Sequence, residues 1–128
     1  MFPYHEIIIT FNRKYGNIVG ESLGVALTLG FIEQLHKLYN LPIDITVNTE
    51  ACFTGGIDDN FKVKPVSNEI IKVKTETVFF SCKKIFAVPK PDEETAKETL
   101  GNLKKKYPGR NLKLIPIEDL EDIINRRI

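Results

Sequence analysis

Apolar and polar residues change rhythm several times along this chain, and each change marks an expected element. Glu6-Ile7-Ile8-Ile9-Thr10-Phe11 is a β-branched run that reads as a buried strand. Asn12 to Gly20 is a polar, glycine-punctuated loop. From Glu21 to about Tyr39, Leu23, Ala26, Leu27, Leu29, Phe31, Ile32 and Leu35 recur at helical spacing, and Pro42 stops the pattern. Ile43 to Val47 alternates like a strand, Gly55-Gly56 with Asp58-Asp59-Asn60 marks a turn or hairpin loop, and Phe61 to Val66 is its returning arm. In Asn68 to Lys84 the residues Ile71, Val73, Thr75, Thr77 and Phe79 alternate, so local pattern favours a strand although the length suits a helix. Ile85 to Val88 is a short strand ended by Pro89, Asp92 to Tyr107 an amphipathic helix between Pro91 and Pro108-Gly109, Leu112 to Ile115 another strand, and Ile117 to Ile128 a terminal helix. The alternation of strands and helices predicts an α/β (α+β) fold with helices packed on a small mixed sheet.

Composition narrows the classes. At 128 residues with 42% hydrophobic content, residues 1–128 suit a single domain with a modest core. Eighteen Lys and Arg against seventeen Asp and Glu leave a net charge of +1, so no global field attracts nucleic acid or an anionic membrane. The apolar runs are far shorter than the roughly 20 residues needed to span a bilayer, and no leader pattern opens the chain, so a cytoplasmic protein is expected. Cys52 and Cys82 lack metal-ligand spacing and read as reduced thiols, and His5 and His36 add no zinc pattern.

The chemistry concentrates at Gly20-Glu21-Ser22-Leu23-Gly24, a G-x-S-x-G pattern at a helix start. Two readings fit it: Ser22 is a nucleophile, or it caps the helix. A nucleophile needs a base. His36 lies 14 residues further along the same helix, about 21 Å away at 1.5 Å per residue, and His5 precedes the serine on the first strand. A histidine triad is therefore disfavoured, and a lysine with its pKa lowered by burial becomes the alternative. Lys72 stands between Ile70-Ile71 and Val73, a locally apolar setting.

Taken in order, the apolar strand, G-x-S-x-G opening a long helix, Thr49-Glu50 followed by Gly55, the step Pro65-Val66, Ile71-Lys72-Val73-Lys74 and the strand Ile85 to Lys90 resemble the proteolytic domain of Lon proteases, the Ser-Lys peptidases. The resemblance runs from about Tyr4 to the C-terminus. It implies that Ser22 is the nucleophile and Lys72 the base, with Gly20, Glu21, Leu23, Asn48 and Glu50 around the oxyanion and the supporting contacts. It also implies that Ile70 to Lys83 is helical, against its local alternation. The chain departs from the family pattern at Val19, at Glu69-Ile70 and at Asn48, which stands where the family's threonine supports the lysine. The longer spacing from Glu50 leaves Lys74 and Lys64 as alternative bases.

A serine endopeptidase acting on polypeptides follows from the resemblance, with no metal or organic cofactor. ATP would enter only through an AAA+ module, which this chain lacks along with the usual N-terminal part of the domain; no P-loop pattern occurs. The expected partners are polypeptide substrates and either further copies in a ring or an AAA+ module. Two competing classes remain: a catalytically inactive scaffold of the same fold, and a non-peptidase hydrolase using the serine elbow.

Overall fold

A computed structural model describes residues 6, 8, 22–40, 47–126 and 128. The expected strands over Glu6 to Phe11 and Ile43 to Val47, and the loop between Asn12 and Gly20, lie outside the described residues apart from Glu6, Ile8 and Val47.

The described chain is a small mixed α/β domain with four helices. Helix α1 (Gly24–Tyr39) is followed by strand β1 (Ala51–Phe53), the pair β2 (Gly56–Ile57) and β3 (Val63–Lys64), helix α2 (Asn68–Phe79) and strand β4 (Ile85–Pro89). A 3-10 turn, Lys90–Asp92, leads into α3 (Glu93–Lys106), then β5 (Lys113–Ile117) and α4 (Leu120–Arg126). Strands β1, β4 and β5 form one sheet in that order, parallel throughout, while β2 and β3 make a separate antiparallel pair. Both strand directions occur, but not within the single mixed sheet expected.

Strand β4 sits in the middle, and its side chains explain the layers. Phe86 and Val88 point to one face, where they pack with Ile71, Val78 and Phe79 of α2 and Ala96 and Leu100 of α3. Ala87 points to the other face, with Val25 and Leu29 of α1 and Leu120 and Ile123 of α4. A strand buried on both faces reads as a continuous apolar run, which is why Ile85 to Val88 was legible without alternation. Each large side chain sealed this way contributes about 1.5–3 kcal/mol.

Several boundary expectations change: the terminal helix expected from Ile117 begins at Leu120, with Ile117 closing β5, and the helix expected over Ile70 to Lys83 is Asn68–Phe79. The hairpin loop expected at Gly55-Gly56 with Asp58-Asp59-Asn60 narrows to its second part: Gly56 opens β2, and the chain turns at Asp58 to Lys62, where Asp58 Oδ1 accepts the amides of Asn60 and Lys62 at 2.8 and 2.9 Å. Strand β1 begins directly after Thr49-Glu50, a position where no strand was expected.

Close backbone approaches position the start of α1. A Cβ on Gly24 would stand 2.9 Å from the Ile57 amide nitrogen, so only glycine lets α1 lie against β2. The Gly55 amide donates to the Ser22 carbonyl and the Val25 amide to the Gly55 carbonyl, both at 3.0 Å. Gly55 has φ +127°, and a Cβ there would meet Val63 Cγ1 at 2.9 Å and Pro89 Cγ at 3.0 Å. Helix α2 is held at its other side: Ser67 caps it through the Ile70 amide, and the buried Asp92 carboxylate accepts the Val66 amide at 2.9 Å. Burial pushes the Asp92 carboxyl above the usual range.

Gly55→Ala combines a backbone conformation reserved for glycine with two sub-contact distances, so it should destabilise the domain by about 2–3 kcal/mol. Urea denaturation of the variant beside wild type measures this.

Candidate active site

Ser22 precedes α1 and does not cap it. The cap position is Leu23, with no side-chain hydrogen bond to the helix amides. What occupies the Ser22 hydroxyl is an amine from across the domain: Lys74 Nζ lies 2.6 Å from Ser22 Oγ and donates as well to Thr54 Oγ1 at 3.0 Å. Three segments meet at this point, namely the turn into α1, the residue after β1 and the middle of α2.

Each partner has a local reason for its place. Thr54 is 1% exposed, and its amide donates to the Ala87 carbonyl at 3.1 Å, which extends the β1–β4 register by one residue and fixes the hydroxyl beneath the amine. Lys74 shares the helix face of Ile71, Thr75 and Val78, all buried, because residues three and four apart stand above one another on a helix. Its stem is carried on the flank of the core. The amine is partly desolvated, and this burial holds its pKa below the ordinary lysine range. Raising the penalty on the charged form in this way favours the neutral amine.

The remaining expected site residues fall elsewhere. Lys72 is exposed, since two residues' displacement along a helix turns it away from the face that carries Lys74; of the two lysines in the Ile-Lys-x-Lys segment it is Lys74, one of the alternative bases, that reaches Ser22. Lys64 lies on β3 opposite Gly56, and the lysine on the Ser22 hydroxyl is Lys74. Asn48 does not support the amine. Its side-chain oxygen accepts the Glu50 amide at 2.9 Å, forming the turn before β1, and the second acceptor of the Lys74 amine is Thr54. Glu50 is exposed and paired with Lys84 at 3.3 Å, with its carbonyl accepting the amides of Lys84 and Ile85. Leu23 stands beside Ser22, and its carbonyl accepts the Leu27 amide. Gly20 and Glu21, like His5 and Val19, lie outside the described residues. His36 Nδ1 is bonded to the Ile32 carbonyl in the last turns of α1, at the far end from Ser22.

Thr54 was missed, although a polar residue directly before Gly55-Gly56 was a visible signal. The register of α2 was visible too: once the segment is helical, Ile71, Lys74, Thr75 and Val78 share a face that excludes Lys72.

Cys52, half-buried, and Cys82, exposed, are free thiols, and burial raises the Cys52 pKa. Among the described residues no group of three or more His, Cys, Asp or Glu side chains is placed to hold a metal ion, and no helix is long and apolar enough to cross a membrane. In comparison with known proteins, the chain matches no family model, no curated protein and no solved structure.

The lowered pKa of Lys74 has a stability consequence with a definite sign. Between its folded-state value and the ordinary value of about 10.4, the unfolded chain holds a proton that the folded chain has released, so wild-type stability rises with pH across that window. The contribution is fully present above the unfolded value and is lost as pH falls through the folded one. Denaturation of wild type and Lys74→Met as a function of pH should show the difference between them moving in favour of wild type as pH rises.

Proposed function

We propose that this domain is a serine peptidase of Lon type that hydrolyses peptide bonds with a Ser22–Lys74 dyad. The observation that carries the reading is the 2.6 Å contact between Lys74 Nζ and Ser22 Oγ, made by an amine that burial inclines toward its neutral form. The helices on both faces of a small sheet, with the serine at the start of α1 and the lysine on α2, agree with the resemblance read from the sequence.

In the resting protonated state the amine donates to both hydroxyls. Once neutral, it presents a lone pair to Ser22 and the direction of that bond reverses. The Ser22 O–H proton passes to Lys74 Nζ as Oγ attacks the carbonyl carbon, forming a tetrahedral intermediate whose oxygen carries the negative charge. The Leu23 and Gly24 amides, which open α1 and have no partner among the described residues, supply donors beside the nucleophile together with the positive end of the helix dipole. Collapse of the intermediate breaks the C–N bond; the leaving amine takes the proton from Lys74 and departs, leaving the acyl group as an ester on Ser22. Water then attacks the ester, giving a proton to Lys74; collapse breaks the C–Oγ bond, Lys74 returns the proton to Ser22 Oγ, and the carboxylic acid is released. Throughout, Thr54 accepts an N–H of the amine and keeps the lone pair aimed at Ser22.

The chemistry draws on this chain's side chains and backbone. Delivery of unfolded polypeptide would come from other modules, either further copies in a ring or an AAA+ ATPase that supplies ATP-driven unfolding, and a cytoplasmic setting fits such a system.

The test is covalent labelling of Ser22 by a fluorophosphonate or peptide boronate, followed by intact mass. Wild type should label, with a rate that climbs with pH and a midpoint below the ordinary lysine range. Lys74→Met should reduce the rate about 10²–10⁴-fold, the size of a lost general base, while Lys72→Met should stay within about threefold of wild type. No labelling of wild type at any pH up to about 9 would leave a scaffold of the same fold as the better reading.

A further inference from the structure

Opposite the dyad, the domain carries an end of different character. Strands β1, β4 and β5 are parallel, with Ala51, Ile85 and Lys113 in register at their amino ends, while Thr54 and the dyad lie past the carboxyl end of β1. Charge is strongly segregated there. No Asp or Glu occurs between Glu98 and Glu118, and the ten residues from Lys104 to Lys113 carry Lys104, Lys105, Lys106, Arg110 and Lys113. Several other lysines are neutralised: Lys37, Lys62, Lys90 and Lys97 each pair with a carboxylate, as does Lys84 with Glu50 beside the amino ends of β1 and β4. Among the described residues Lys104, Lys105, Lys106, Arg110 and Lys113 form no ion pair.

The same end exposes aromatic surface. Phe80 is 43% and Tyr107 45% exposed, their rings meeting edge-to-face at 5.2 Å, and the Arg110 guanidinium lies 5.6 Å from the Phe80 centroid. Arg110 is tied to the aromatic pair, because its amide donates to the Tyr107 carbonyl, and Lys113 opens β5 with its amide donating to the Lys84 carbonyl. Attraction to the helix dipole accounts for three lysines in the last turn of α3, but not for Arg110, Lys113 or two rings left in water.

We infer that this basic, aromatic end is a docking surface for an acidic polypeptide segment that also carries apolar side chains. Charge complementarity sets the sign of the partner. The rings decide its class: Phe80 and Tyr107 stand at 83° to one another and Arg110 covers a face of Phe80, so there is no stacked pair of open faces for nucleobases, whereas ring edges and a half-covered face suit aliphatic side chains. Uncompensated surface charge also keeps the interaction short-ranged and sensitive to salt, since the chain as a whole carries only +1. The surface does not depend on serine chemistry and holds whether or not the dyad is active.

Fluorescence anisotropy tests it, using the whole chain and a fluorescein-labelled peptide of alternating Glu and Leu, beside an alternating Glu and Ser peptide and an oligo-dT strand of similar charge. Wild type should bind the Glu-Leu peptide most tightly and weaken about tenfold or more between roughly 0.02 and 0.2 M salt. Lys104→Gln, Lys105→Gln, Lys106→Gln and Arg110→Gln together should weaken it about tenfold. Phe80→Ser with Tyr107→Ser should remove the advantage of Leu over Ser, and neither set should change fluorophosphonate labelling. The neutralising set removes no buried group, so it keeps the test valid if the aromatic pair fails to fold. No binding at low salt, affinity unchanged in the neutralised variant, or preference for oligo-dT would each overturn the inference.

Discussion

Everything specific about this domain turns on one amine that is neither fully solvated nor fully paired. Lys74 sits between two hydroxyls, and a hydroxyl is a hydrogen-bond partner that brings no compensating negative charge. A carboxylate in place of either one would hold the lysine protonated and inert as a base. Partial burial with neutral partners does the opposite, and it makes the position slightly uncomfortable for a cation. The fold must therefore hold in place a group that would be more stable in water at neutral pH.

The surrounding structure supplies that restraint through backbone contacts. Gly24 lets α1 come down onto β2, Gly55 links to both Ser22 and Val25, and Thr54 is tied to β4 by its own amide. On the other side, Ile71, Val78 and Phe79 bury α2 against the sheet, with Ser67 and Asp92 fixing the chain as it enters the helix. Three segments distant in sequence are thereby set to within hydrogen-bond reach, by packing on both faces of β4.

Much of this was legible in the residues, and the errors have physical causes. The apolar run of β4 and the cap and breaker residues around α3 and β5 marked those elements closely. In α2 the residues Ile71, Thr75 and Phe79 satisfy a period of two and a helical repeat at once, so local alternation alone pointed to a strand, whereas the helix implied by the resemblance over Ile70 to Lys83 is the element that forms, as Asn68–Phe79. Ser22 was found through its flanking glycines. The resemblance pointed first to Lys72 and left Lys74 as an alternative; counting helical turns from the buried residues puts Lys74, not Lys72, on the face that meets Ser22. Thr54 escaped because its role exists only across the sheet, and β1, three residues long, leaves too short a pattern to read.

The central claim is that Lys74 is held partly desolvated between two hydroxyls. It is tested most directly by NMR titration of the lysine ¹³Cε resonances in the whole chain. One resonance should titrate below the others and be the one that disappears in Lys74→Met. If all lysines titrate together in the ordinary range near about 10.4, or if the displaced resonance survives that substitution, the account is contradicted.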